Sequence, residues 1–393
     1  ILGSNLFAIR FSGDVLIFLT SFFLYKIIDN RYKNYNFNIL GCTFFILLFN
    51  FNFAQPTLTE LPGLFFITLS IFIHKHNPKN TFTNGFIIGL AIMSRTNLGF
   101  LIFAFLIIYL KDEFKFKKII YFLTGSSIPF LLFGAYFFYK DAFINFLSGV
   151  FIEITYSSST NKIEDFYNDV LVYKLKNFEF REAILILITL ITFYVIYQKN
   201  TLSNISDEII ILLLLLLSIV LGRSLFYHYL IQTYTILTIF FIEGMYIINI
   251  KKITFMMTLF LFLLQVNLVF LGLQNIYNYQ DISKNYPIKK IANELNSEEV
   301  LAITDHLIYF YNDNESPIVV HPGLYNNKIK FNNLFINLIS IGVINRNERE
   351  LALLNQPQFI LCDKTCNDVL EDKFIDKYQI YDEYLSTVVY KLK

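Results

Sequence analysis

Arg223, His228, Tyr229 and Gln232 stand within Gly222–Gln232, read GRSLFYHYLIQ. This stretch lies between the aliphatic run Ile209–Leu221 and the apolar run Thr233–Ile250. Ionisable groups at the junction of two membrane-grade segments are costly and usually face a polar cavity or the interface. A guanidinium there suits a phosphate, which it meets with two parallel hydrogen bonds. On an α-helix His228 and Gln232, four apart, share a face, although a lone His more often serves structure than proton transfer. The plainer alternative has Arg223 and Tyr227 anchoring the chain at the membrane surface, where Tyr is enriched.

Three further groups carry comparable chemistry. Glu60 lies in Gln55-Pro56-Thr57-Leu58-Thr59-Glu60-Leu61-Pro62, at the lip of an apolar segment. A carboxylate so placed can orient an acceptor hydroxyl or offer oxygen ligands to a divalent cation, the one cofactor this reading admits. Its alternative is a helix-start role, with Thr57 or Thr59 capping and Glu60 at the positive helix end. Arg95, flanked by Ser94, Thr96 and Asn97, interrupts an apolar stretch and suits phosphate recognition; neutralising an acidic neighbour or capping helix carbonyls are its alternatives. Arg10 and Asp14, four apart, read most simply as a helix-face ion pair, with a binding role for Arg10 left open.

These residues need a membrane scaffold to position them. Spans are expected at residues 11–28, 37–54, 58–74, 119–139, 183–198, 208–223, 231–250 and 253–273, against the ~17–25 residues a helical crossing needs. Residues 84–110 hold two shorter apolar pieces, Gly85–Met93 and Leu98–Leu110, split at Ser94–Asn97. Basic flanks settle how to read them. Lys26, Arg31 and Lys33, then Lys75 and Lys79, then Lys111, Lys115, Lys117 and Lys118, then Lys251 and Lys252 all fall on one side only if 84–110 crosses twice. That parity places Gln55–Thr59, Arg95, Lys140–Arg181, Gly222–Gln232 and the C-terminal part on the outer side. The long polar and aromatic stretch 140–181 reads as short helices on the membrane, with an acceptor-binding or lid role, or as a connector.

From Gln274 onward the texture is that of a soluble layer domain. Pro287–Leu295, Asn332–Ile341 and Glu348–Leu354 read as helices, and Val300–Asp305, Pro317–Val320, Phe359–Cys362 and Thr387–Leu392 as strands. The expected fold is therefore a polytopic all-α membrane bundle over residues 1–274, with about ten transmembrane helices, followed by a small α/β domain over 275–393, outside the cytoplasm.

Composition agrees. The chain of 393 residues is 55% hydrophobic with mean hydropathy +0.51, as expected of a membrane protein. A net charge of +1 gives no electrostatic footing for nucleic acid, and no glycine-rich phosphate loop is present. Of the three cysteines, Cys42 sits in an apolar span. Cys362 and Cys366 are spaced for a local disulfide if that region is extracytoplasmic. The chain starts at Ile1, in a polar-to-apolar transition, and an upstream segment is expected.

In order along the chain, Leu2-Gly3-Ser4-Asn5-Leu6-Phe7-Ala8-Ile9-Arg10, Thr59-Glu60-Leu61-Pro62, Gly85–Arg95 (GFIIGLAIMSR), and Gly222-Arg223 with Tyr227-His228-Tyr229-Leu230-Ile231-Gln232 resemble a known pattern. It is that of the GT-C class of polytopic glycosyltransferases, and within it glycosyltransferase family 39, the relatives of the protein O-mannosyltransferases and the lipid A aminoarabinose transferase. The resemblance covers about residues 1–274. It implies a sugar donor linked to polyprenyl phosphate, a lipid, glycan or protein acceptor, and an inverting displacement at the outer face of the cytoplasmic membrane. It also implies that the family's principal catalytic carboxylate lies upstream of Ile1. Glu60 falls at the family's second acidic position, usually Asp, as a catalytic and possible metal-binding group. Arg95, Arg223, His228, Tyr229, Gln232 and Arg10 become contacts to donor phosphate or sugar. The rivals are a flippase or transporter of a lipid-linked saccharide, which would line both membrane halves with polar groups, and a non-catalytic scaffold.

Overall fold

The computed structural model describes residues 6–51, 60–111, 116–144, 146–147, 180–199, 201–221, 227–248, 256–263, 266, 291–292, 294–295, 300–302, 355–363, 376–384 and 387–393, with the side chains of residues 6–10, 50–51, 180–186, 188, 204, 220–221, 227–229, 363, 384 and 387 outside the description. The chain divides into two compact units, Ile1–Phe143 with Asn161–Phe270, and Ile144–Thr160 with Leu271–Lys393.

The first unit is helical. Its elements are α1 (Leu6–Tyr32), α2 (Tyr35–Phe51), α3 (Glu60–His76), α4 (Thr81–Ser94), α5 (Phe100–Lys111), α6 (Phe116–Tyr139), α7 (Phe180–Gln198), α8 (Ser206–Leu221) and α9 (Tyr234–Ile248). Short 3-10 turns at Thr96–Gly99, Leu202–Ile205 and Tyr227–Thr233 precede α5, α8 and α9. Three segments, Phe11–Tyr32, Phe116–Tyr139 and Leu230–Ile248, are long and apolar enough to cross a membrane, with shorter apolar helices beside them. Residues 256–263 are helical, within the last expected span.

The predicted break in 84–110 is present, and its sense can be read from one hydrogen bond. Asn84, one turn into α4, donates its amide to the Tyr109 hydroxyl near the end of α5 at 2.8 Å. In a continuous helix those residues would stand about 37 Å apart at 1.5 Å per residue. So α4 and α5 run antiparallel, as a hairpin turning at Arg95. Arg95 has extended backbone (φ −156°, ψ 115°), and its amide caps α4 by donating to the carbonyls of Ala91 and Ile92.

Packing then fixes the bundle. α4 lies on α6 through a small-residue stripe: a methyl group on Gly85 or Gly89 would strike the Phe122 or Ser126 carbonyl of α6, and one on Gly125 the Phe82 carbonyl of α4. The Gly85-Phe86-Ile87-Ile88-Gly89 spacing is the small-xxx-small pattern that lets membrane helices approach backbone to backbone. Phe44 of α2 stacks on Phe241 of α9 at 4.1 Å between ring centres, and Thr68 of α3 shares a 2.6 Å hydrogen bond with Thr235 of α9. Phe44, Leu64, Ile67, Phe105, Phe122 and Phe241 are fully buried.

The second unit carries a four-stranded sheet of β1 (Val300–Ala302), β2 (Phe359–Asp363), β3 (Tyr378–Tyr384) and β4 (Thr387–Leu392), in spatial order β1-β2-β4-β3. β1 pairs parallel to β2, and β4 pairs antiparallel to both β2 and β3. Ile291, Ala292 and Leu295 of a helical turn pack against Val300, Phe359, Leu361 and Val389. Three of the strands are those expected. β3 was not expected, and the expected elements at Pro317–Val320, Asn332–Ile341 and Glu348–Leu354 lie outside the described residues. Cys362 is disulfide-bonded, and Cys42 is free.

Candidate functional site

Glu60 opens α3, where the exposed amides of the first turn favour a carboxylate. The α4–α5 turn delivers Arg95 to the same place, and the Arg95 guanidinium donates to Glu60 Oε1. Both side chains are withdrawn from solvent, at 13% and 1% exposed. Space for the turn comes from Gly63, one helical turn into α3, beside which the buried Leu98 side chain sits. The next residues of the turn reach further. Asn97 donates its amide to Gln232 Oε1 at 3.3 Å, and Gln232 returns the bond to Asn97 Oδ1 at 3.5 Å. Gln232 is fully buried.

Three of the sequence-predicted site residues, Glu60, Arg95 and Gln232, thus meet at one end of the bundle, linked by Asn97. Of the two alternatives weighed for Arg95 beside phosphate recognition, neutralising an acidic neighbour is realised directly, and its backbone also caps α4. Arg223 lies outside the described residues. His228 and Tyr229 fall in the 3-10 turn Tyr227–Thr233. This corrects one expectation: with ~3 residues per turn, positions four apart lie about a third of a turn away from each other, so the spacing does not put His228 on the face of Gln232. Arg10 lies in α1, and Asp14 is exposed.

The donor set fits a divalent cation poorly. Glu60 Oε1 already accepts from a guanidinium, and among the described residues no group of three His, Cys, Asp or Glu side chains is placed to hold a metal ion.

A second polar cluster, not foreseen from the sequence, lies at the opposite end of α3. Arg31 at the end of α1 bridges Glu208 of α8 (3.4 Å) and Glu243 of α9 (2.9 Å). Lys75 at the end of α3 meets Asp207 (3.1 Å) and Glu208 (3.4 Å), and Lys111 at the end of α5 meets Asp207 at 3.6 Å. His74 Nε2 lies 3.4 Å from Asp207 Oδ2. The hydrogen bond with His74, followed by the charge of Lys75, outweighs burial and holds the Asp207 carboxyl well below the usual carboxylate range. Arg31, Lys75 and Lys111 are three of the charges whose common side loop parity required, and the structure gathers these three at one end of the bundle.

Residues 1–137 match the family described as dolichyl-phosphate-mannose-protein mannosyltransferase. The match covers about a third of the chain and includes Glu60, Arg95 and Asn97. No curated protein and no solved structure matches the chain.

Proposed function

We propose, with residues 1–137 as a glycosyltransferase domain of the GT-C family 39 type, that the protein moves a sugar from a polyprenyl-phosphate donor to an acceptor hydroxyl at the outer face of the cytoplasmic membrane. The observation that carries this reading is the convergence of Glu60, Arg95, Asn97 and Gln232 at the bundle end opposite the second, ion-paired cluster.

In the displacement, the acceptor oxygen bonds to the anomeric carbon as the bond from that carbon to the phosphate oxygen breaks, with inversion. The electron pair leaves on the polyprenyl phosphate, and the acceptor's proton passes to a carboxylate. Charge grows on the departing phosphate, so a fixed cation there stabilises the transition state more than the ground state. Arg95 takes that role in the proposal. Glu60, only 1% exposed and already accepting from Arg95, is better suited to positioning the guanidinium than to meeting an acceptor hydroxyl. Gln232 and Asn97 fix the neighbouring turn, on which His228 and Tyr229 lie, and Arg223 and Arg10 remain further donor contacts in the same reading. No step is routed through a metal ion.

The disulfide at Cys362 supports an extracytoplasmic second unit, because such bonds persist in oxidising compartments. A transporter of lipid-linked saccharide draws support from the polar cluster at the other bundle end. Between the two ends, however, the described interior is closed by fully buried Leu64, Ile67 and Phe241, and its buried Thr68 and Thr235 hydroxyls are bonded to each other. The test is transfer from a polyprenyl-phosphate-linked sugar by the full-length protein. Arg95→Gln is expected to lower transfer at least about a hundredfold, and unchanged transfer would remove Arg95 from the mechanism.

A further inference from the structure

The cluster at the far end of α3 surrounds a crevice of about 420 Å³ lined by Ile27, Asn30, Arg31, Tyr32, Lys75, Glu208, Glu243 and Tyr246. Its two signs of charge are not equally accessible. The Arg31 and Lys75 side chains are 22% and 29% exposed, whereas Glu208 and Glu243 are at 1% and 3%. The carboxylates therefore sit beneath the cations and hold them, and the cations face the opening. Arg31 is fixed further by lying over the Tyr32 ring at 5.5 Å, and the Tyr32 hydroxyl donates to Glu243. The Tyr32 and Tyr246 rings, 4.9 Å apart, form part of the wall, and exposed Asn30 adds an amide donor.

A rim of pre-positioned guanidinium, ammonium and amide donors, backed by buried carboxylates and flanked by aromatic and aliphatic surface, is built for an anion attached to something apolar. An arginine already held by carboxylates, as Arg31 is, loses little freedom on binding, since its geometry is set. The crevice lies where α1 and α3 end, among the basic flanks that attract anionic headgroups at a membrane surface. We propose that this crevice binds a phosphate group, carried by a phospholipid headgroup or free in solution, through Arg31, Lys75 and Asn30. The site is distinct from the one at Glu60 and Arg95 and does not depend on the proposed reaction.

The test uses the full chain in maltoside detergent, which carries no phosphate. Melting temperature is followed in one arm against inorganic phosphate with sodium chloride at matched ionic strength as control. The other arm compares phosphatidylglycerol with phosphate-free diacylglycerol in mixed micelles. A shift with inorganic phosphate identifies free phosphate as sufficient; a shift with phosphatidylglycerol alone identifies the headgroup. Asn30→Trp fills the opening without touching an ion pair and should abolish either shift. Lys75→Gln should weaken the apparent affinity at least about tenfold. The proposal is overturned if neither phosphate source shifts the wild-type chain beyond its control, or if the shift persists unchanged in both variants.

Discussion

Removing one member of the Glu60–Arg95 pair should cost far more than removing both. With Glu60 1% and Arg95 13% exposed, Arg95→Met strands a buried carboxylate and Glu60→Leu strands a buried guanidinium. Breaking a buried ion pair from one side costs about 3–5 kcal/mol, while replacing both partners with apolar groups of similar volume is often close to neutral. For a helical unit of this size, that corresponds to a fall in melting temperature of roughly 10 °C for each single variant and a few degrees for the double. The assay is thermal unfolding of the detergent-solubilised protein at one fixed heating rate, with a double-mutant cycle giving a coupling of at least about 5 kcal/mol, the two single losses less the small loss of the double. Single variants melting within a degree of the wild type, or a double variant as unstable as the two singles added together, would refute the placement of this pair. The double variant also separates roles, since in the proposed reading it folds and fails to transfer sugar.

Other outcomes follow from the same contacts. Gly85→Val and Gly89→Leu should each destabilise the protein by at least ~1–3 kcal/mol, because α4 would be forced off the α6 backbone; Gly99→Ala, where an added methyl meets nothing within 4 Å, is the control for the same melting experiment. Asn97→Leu should cost ~1–3 kcal/mol by leaving the buried Gln232 amide without its partner, and Asn97→Leu with Gln232→Leu should recover part of that loss. Asp207, whose folded carboxyl titrates below its unfolded value of ~3.9, contributes stability that is complete above that value and is lost as pH falls through the folded value. Melting temperature measured from pH 6 downward should therefore show an acid decline that is shallower in Asp207→Asn.

The helices of the first unit were readable because their apolar runs are long, three of them long enough to cross a membrane, and the α4–α5 turn because Ser94-Arg95-Thr96-Asn97 puts four polar residues inside one. The pairing of Glu60 with Arg95 was open at the sequence level, since separation along the chain says nothing about which acid a buried Arg meets. The second cluster was illegible for the same reason. Arg31, Lys75, Lys111, Asp207, Glu208 and Glu243 come from five helices, and each alone reads as a flanking charge or a stray acid. Only the packing of α1, α3, α5, α8 and α9 turns them into a network. β3 escaped notice because its register shifts between Ile380 and Asp382, so the inside–outside alternation is broken, and Ile380 and Tyr381 are both exposed. The 3-10 geometry of Tyr227–Thr233 was hidden because its composition is equally compatible with an α-helix, and it changes which residues share a face.

The central claim is sugar transfer at the end of the bundle that holds Glu60 and Arg95. It is tested most directly by supplying the full-length protein, in sealed vesicles, with a polyprenyl-phosphate-linked sugar labelled in the sugar ring, and following the label. Label is expected to move to an acceptor with inverted anomeric configuration while unlabelled polyprenyl phosphate accumulates, and both should stop in Arg95→Gln. Label that crosses the bilayer still joined to its polyprenyl phosphate, or transfer that is indifferent to Arg95, would contradict it.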